Sequence, residues 1–164
     1  MNTKKLTALS VSVALAMVLS FLESLIPPLV AVPGIKIGLA NIVTVFLLYT
    51  YGWRAAGGVS IIRICLSSLL FGSAVSLLYS ASGALLSFLG MLLIKRLPFS
   101  QELSVSVTGG VLHNTGQIIC ASLIMENAGI ALYLPPLIIS GTVSGIAVGI
   151  AAAILTKKLS GLVR

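Results

Sequence analysis

The stretch LPPLIISGTVSGIAVGIAAAILT, Leu134 to Thr156, carries no charged side chain and runs straight into Lys157 and Lys158. A helix needs about 20 predominantly apolar residues to cross the hydrocarbon core of a bilayer, and this run is long enough. Its apolar residues are continuous, whereas the strands of a membrane barrel alternate every second position. Pro135 and Pro136 open it. Proline is tolerated in the first turn of a helix, where its missing N–H has no partner to lose.

Working outward, five further apolar runs appear: Leu6 to Ile26, Ile35 to Tyr51, Ala55 to Phe71, Val75 to Ile94 and Leu103 to Met125. Breakers lie between them, with Pro27, Pro28, Pro33 and Gly34 after the first, Gly52 before the third, Pro98 after the fourth, and Asn127 and Gly129 after the fifth. The second and third runs are the shortest and sit close to the lower limit for spanning, about 17 residues. The pattern predicts an all-α integral membrane protein, a bundle of six transmembrane helices forming one domain over residues 1–164. Only 8% of the residues are charged, against roughly a quarter in a soluble domain, so the chain cannot cover a water-facing surface. Six spans leave short loops and no room for a soluble catalytic domain.

Charge sets the expected direction. With the N-terminus inside, Lys4, Lys5, Arg54, Lys95, Arg96, Lys157, Lys158 and Arg164 all fall at cytoplasmic ends, and only Lys36 falls outside. Eight cations against one is the bias of the positive-inside rule, and it predicts N-in, C-in topology in the cytoplasmic membrane. The Lys4-Lys5 pair before an apolar run also resembles a signal peptide. Signal h-regions run to about 7–15 residues and this one is longer, so the segment is expected to stay as a span.

Several classes of activity are excluded. Glu23, Glu102 and Glu126 are the only carboxylate side chains and there is no Asp, which is too little for carboxylate pairs or an Asp-held magnesium site. Cys65 and Cys120 lie inside apolar runs, with no CxxC and no zinc-like Cys/His spacing, and read as buried thiols. No metal or other cofactor is expected, and the chain is not expected to be an enzyme. The net charge of +7 is spread singly or in pairs between apolar runs, which marks topology rather than a nucleic-acid surface.

Polar residues at membrane depth carry the functional signal, because an ionisable group there is costly. Arg63 lies nine residues past Arg54, which at 1.5 Å per residue is about 13 Å in, near the bilayer midplane. His113 sits at similar depth on the fifth run, followed by Asn114 and Gln117. His113 and Gln117 are four apart and share a helix face. Asn41, Glu23 and Lys36 lie toward the outer side. Arg63 and Lys36 offer donors to a phosphate or carboxylate; Asn41, His113, Asn114 and Gln117 offer neutral hydrogen bonds. Tyr79 and Tyr133, near outer helix ends, could cover a ring or serve as interface anchors. The alternatives are structural: Arg63 paired with Glu23, the His113-Asn114-Gln117 group as interhelical glue, and Lys36 as a solvated loop lysine.

Small residues at four-residue spacing let helices approach closely. Ala8, Ser12, Ala16 and Ser20 form such a stripe on the first run, and Gly141, Gly145 and Gly149 form one on the sixth. The second suits internal packing. The first suits either internal packing or docking of a separate membrane subunit.

The run from Pro33 to Asn41 (PGIKIGLAN), followed by Tyr51-Gly52, a span containing Arg63 and the His113-Asn114-x-x-Gln117 stretch, resembles the Gx transporter family, also labelled heptaprenyl diphosphate synthase component I. The resemblance covers essentially the whole chain. It implies a fold like the substrate-binding S components of energy-coupling factor (ECF) transporters, which capture vitamins or related small molecules and work with a membrane coupling subunit and two cytoplasmic ATPases. It implies that Ala8, Ser12 and Ala16 dock the coupling subunit. This chain has no GxxxxGK[ST] loop, so an ATP-driven motor would be another polypeptide. The leading expectation is therefore a transport subunit for a small anionic ligand. The alternatives are a non-catalytic membrane component of heptaprenyl diphosphate or menaquinone synthesis, and one of flavin-based extracellular electron transfer. The orientation is open to direct test: with Cys65 and Cys120 replaced, Asn2→Cys and Leu162→Cys should both resist a membrane-impermeant thiol reagent applied to intact cells, and labelling of either from outside would overturn the topology.

Overall fold

Six α-helices form along the apolar runs in a computed structural model of the chain, which describes residues 3–25, 38–98 and 100–163, the side chains of 160–163 excepted. They are α1 (Thr3–Ser24), α2 (Asn41–Thr50), α3 (Trp53–Phe71), α4 (Ala74–Lys95), α5 (Glu102–Ile124) and α6 (Leu134–Val163), with a 3₁₀ turn over Ala128–Tyr133 leading into α6. Large apolar side chains cover much of the outer surface, and polar groups lie buried beside the apolar core. Leu69, Leu123 and Leu132 are 73–82% exposed, while Arg63, His113, Asn114 and Gln117 are buried. Large exposed apolar surface around a polar interior is the mark of a chain solvated by lipid. Four helices, α1, α3, α4 and α6 with its 3₁₀ lead, are long and apolar enough to cross a membrane. The protein is a multi-pass membrane protein.

Two expected spans differ from expectation. The sequence places the start of the second at Ile35, but α2 starts at Asn41 and covers ten residues, a rise of about 15 Å or half the hydrocarbon core. Gly38, at φ +92°, lies in the left-handed region and cannot belong to a right-handed helix, so α2 starts after it. Residues 26–37 lie outside the described residues. The fifth run does form a full helix, but α5 is not among the four apolar enough to span by composition. Its Ser, Thr, Gly, His, Asn and Gln residues lower its hydropathy, and burial between neighbours makes that tolerable.

α5 is the centre of the packing, pressed against α4 on one side and α6 on the other. α6 then packs on α2, α2 on α3, and α3 on α4, so five helices close a ring, and α1 lies outside it against α3 and α2. The α6 glycine stripe does the internal packing expected of it: a Cβ on Gly141 would stand 2.8 Å from the Gly110 carbonyl oxygen, and one on Gly145 would stand 2.7 Å from the Val107 Cα. On α1 the buried residues are Ser12, Ala16, Ser20 and Glu23. Ala16 joins a core cluster with Val43, Leu47, Leu48, Ala56 and Val59, and Ala8 is half-buried.

The charge pattern has a three-dimensional counterpart. Lys5 lies 6.0 Å from the Tyr51 ring centroid and Lys95 lies 4.8 Å from that of Tyr49. Lys95 also donates to the Leu48 carbonyl at the end of α2. Gly149, midway along α6, packs on Leu103, so the second half of α6 runs past the start of α5. Lys4, Lys5, Arg54, Lys95, Arg96, Lys157 and Lys158 therefore gather at one end of the bundle; Arg164 is outside the described residues.

Close approach predicts which glycine tolerates a methyl group. A Cβ on Gly110 would meet the Gly141 carbonyl oxygen at 2.4 Å, whereas one on Gly58 meets nothing within 4 Å. Gly110→Ala should destabilise by about 1–3 kcal/mol through overpacking, while Gly58→Ala should be neutral or gain up to about 1 kcal/mol of helix propensity. Thermal unfolding of the two variants in detergent checks the contrast.

Candidate functional site

Arg63 lies on the buried face of α3, ten residues past Trp53, or about 15 Å from the start of the helix. It is 6% exposed. Its Nε and Nη2 have no hydrogen-bond partner among the described residues. A buried guanidinium costs several kcal/mol unless paired, and the nearest compensation comes from Glu23 on α1, whose carboxylate interacts electrostatically with it. Glu23 also accepts a hydrogen bond from the Gly38 backbone N–H. One carboxylate thus links α1, the approach to α2, and α3. Of the alternatives open in the sequence, an electrostatic influence of Glu23 on Arg63 is present, and two donor nitrogens of Arg63 have no hydrogen-bond partner among the described residues.

The other expected site residues are distributed over two helix seams. Asn114 turns toward α6, its Nδ2 donating to the Leu137 carbonyl oxygen at 2.8 Å, while its Oδ1 has no partner among the described residues. His113 and Gln117 face α4: a Cβ on Gly83 would lie 2.8 Å from Gln117 Cγ and 3.1 Å from His113 Nδ1. All three are at most 4% exposed. Asn41, the first residue of α2, is buried and lines a small crevice with Ser106, Gly110, Ser144 and Gly145, between α2, α5 and α6. Lys36 lies outside the described residues. α3 and α5 make no close backbone approach to one another, so Arg63 and the His113 group stand on separate helices across the ring. Tyr79 is buried in a second core cluster with Ile118, Ile130 and Leu137, while Tyr133 is exposed.

Sequence reasoning missed the serines. Ser60 and Ser67 are buried on the same face of α3 as Arg63, and Ser87 on α4 and Ser106 on α5 are buried without side-chain partners among the described residues. The three-, four- and seven-residue spacings of Ser60, Arg63 and Ser67 were the available signal. Among the described residues no three His, Cys, Asp or Glu side chains come together as a metal site. Among the described residues the interior offers a cation with two unfilled donor nitrogens and a set of neutral hydrogen-bonding groups, which suits binding rather than bond-making.

The sequence model of heptaprenyl diphosphate synthase component I matches residues 12–155. The chain belongs to that family. Members of the curated set of proteins give no match. A solved structure described as "Structure and mechanism of the S component of a bacterial ECF transporter" superposes with a TM-score of 0.70 at 19% identity, covering 100% of this chain and 99% of that one. Family and fold therefore agree with the resemblance carried by the sequence, and the all-helical bundle is that of an ECF S component.

The pairing at Arg63 makes a testable asymmetry. Glu23→Gln removes the carboxylate and leaves a buried cation, which should cost about 3–5 kcal/mol of stability. Glu23→Gln combined with Arg63→Gln should recover part of that loss, because no uncompensated charge remains. Thermal stabilities of the two single variants and the double variant form the cycle; strict additivity would show that the two side chains do not interact.

Proposed function

We propose that this protein is the substrate-binding membrane subunit of an ECF-type transporter, a non-enzymatic chain of six spans with both termini in the cytoplasm, which captures a small anionic molecule from outside. The observation that carries it is Arg63, buried near mid-bilayer depth with two donor nitrogens unfilled among the described residues. A desolvated donor of this kind is completed by an anionic acceptor or by water. The fold of an S component, matched over the whole chain, supports the same reading. The cations gathered at one end support an orientation with that end inside. His113, Asn114 and Gln117 would orient the neutral part of the ligand, Asn41 would contribute from α2, and Lys36 would supply a second cationic contact.

The partners on this reading are a membrane coupling subunit and cytoplasmic ATPases. Contact through the Ala8, Ser12, Ala16 stripe would begin at Ala8, since packing within the chain already buries Ser12 and Ala16. The family description favours a second reading, an accessory membrane component of heptaprenyl diphosphate synthesis. A chain without Asp cannot supply the Asp-rich magnesium sites of prenyl elongation, so on that reading the chemistry belongs to another subunit. Purification with native partners separates the two: ATPases with a coupling subunit support transport, and a soluble prenyltransferase supports the alternative.

The ligand itself is to be identified by mass spectrometry of small molecules released from the purified protein. With it in hand, Arg63→Gln keeps hydrogen-bonding capacity but removes the charge. Loss of one charge-assisted hydrogen bond should cost about 1.5–3 kcal/mol, or roughly ten- to a hundredfold in affinity. Lys36→Gln should weaken binding in the same direction. If both variants keep their thermal stability and bind as tightly as the parent protein, the anion site is not at these residues.

A further inference from the structure

One cavity of the described structure lies away from the polar interior. It is a groove of about 600 Å³ between α3 and α4, apolar apart from Ser60 and Arg54, with Gly57, Gly58, Ile61, Ala81 and Leu85 among its lining residues. It runs along α3 from Trp53 to Cys65 and along α4 from Phe88 back to Leu77, about 18 Å at 1.5 Å per residue. One bilayer leaflet contributes about 15 Å of hydrocarbon, so the groove is one leaflet deep. Its two ends differ. Arg54 and Trp53 stand at the end where the cations of the bundle gather, the Arg54 guanidinium 5.3 Å from the Trp53 ring centroid. The far end is apolar and reaches mid-bilayer depth.

We propose that this groove holds one acyl chain of an anionic phospholipid, with the headgroup phosphate at Arg54. Length and polarity match: an apolar channel one leaflet deep, closed at its wet end by a cation and an amphipathic ring of the kind found at membrane interfaces. Charge matches as well. The first turn of α3 carries no acidic residue, and its N-cap Gly52 has no side chain to fill the free backbone N–H groups, which leaves that end positive. The inference stands on the membrane fold and is independent of the transported ligand.

Trp53 is the one tryptophan of the chain and lines the groove, so its fluorescence reports the occupant. The protein is reconstituted in phosphatidylcholine vesicles containing a minor fraction of phosphatidylglycerol, or of phosphatidylcholine, brominated near the headgroup end of the acyl chain. The brominated anionic lipid should quench Trp53 at about fivefold lower mole fraction than the zwitterionic one, the equivalent of about 1 kcal/mol for one cation near the surface. Arg54→Gln should abolish that preference. Ala81→Leu and, as a second filler, Gly58→Leu should reduce quenching by the anionic lipid to the level of the zwitterionic one while Arg54 remains. Equal quenching by the two lipids in the parent protein, or a preference that survives Arg54→Gln, overturns the proposal. So does quenching that rises only once a co-purified membrane subunit is stripped away, which would make the groove a protein-docking surface.

Discussion

A guanidinium buried near the middle of a membrane bundle cannot be left to itself, and much of the arrangement around α3 follows from that constraint. Arg63 lies within the electrostatic reach of Glu23 on α1, and Glu23 in turn accepts a hydrogen bond from the Gly38 N–H. That single carboxylate ties the peripheral helix to the ring and fixes the chain just before α2. α1 is otherwise the least enclosed helix, so an electrostatic tie in a low-dielectric interior supplements the modest packing of Ser12, Ala16 and Ser20. The tie is also incomplete. Two donor nitrogens of Arg63 have no hydrogen-bond partner among the described residues, so Glu23 alone does not saturate the guanidinium there.

The two sides of the ring are built by different means. α4, α5 and α6 are pressed together through backbone contact at glycines, and the polar residues on α5 are locked into those seams, Asn114 against the Leu137 carbonyl and His113 with Gln117 against Gly83. Lipid supplies no hydrophobic drive between helices, so such seams depend on dispersion at short range and on interhelical hydrogen bonds. α1, α2 and α3 meet instead through larger apolar side chains and the Glu23–Arg63 tie. A rigid trio thus carries the neutral hydrogen-bonding groups, and the other trio carries the charge. Asn41 stands between, on α2 but directed at α5 and α6.

Helix existence and order were legible because apolar runs of spanning length have few other solutions in lipid. The α6 glycine stripe was legible for the same reason: small residues every fourth position have a purpose only where another backbone comes close. The start of α2 was not legible. Apolar composition around Ile35 to Leu39 looks helical, and only the backbone conformation of Gly38 shows that the helix begins later. The direction of the α1 stripe was equally hidden, since spacing places Ser12 and Ala16 on one face but says nothing of which neighbour that face meets. In the site, depth and residue type were readable from sequence and mutual distance was not. Arg63 and His113 sit at comparable depth yet on helices whose backbones make no close approach, because sequence position along a span gives height and leaves the angle around the bundle open.

The two arginines of α3 show how one helix serves two surroundings. Arg54 and Arg63 are nine residues apart, and at about 100° per residue that is two and a half turns, which sets them on opposite faces. Arg63 points into the buried face with Ser60 and Ser67, where each charge must be met by protein or ligand. Arg54 stands exposed at the cationic end, beside Trp53 and the groove toward α4, where water and headgroups can meet it. The groove marks the seam at which α3 is least tightly bound to its neighbour, in contrast to the α4–α5 and α5–α6 seams, where glycine backbones touch. The charged trio and the rigid trio therefore join through α2 on α6 and α5 and through this loose α3–α4 seam. Any displacement that changed access to Arg63 would meet less resistance there than at the glycine seams, because dispersion lost on opening scales with the contacts already made.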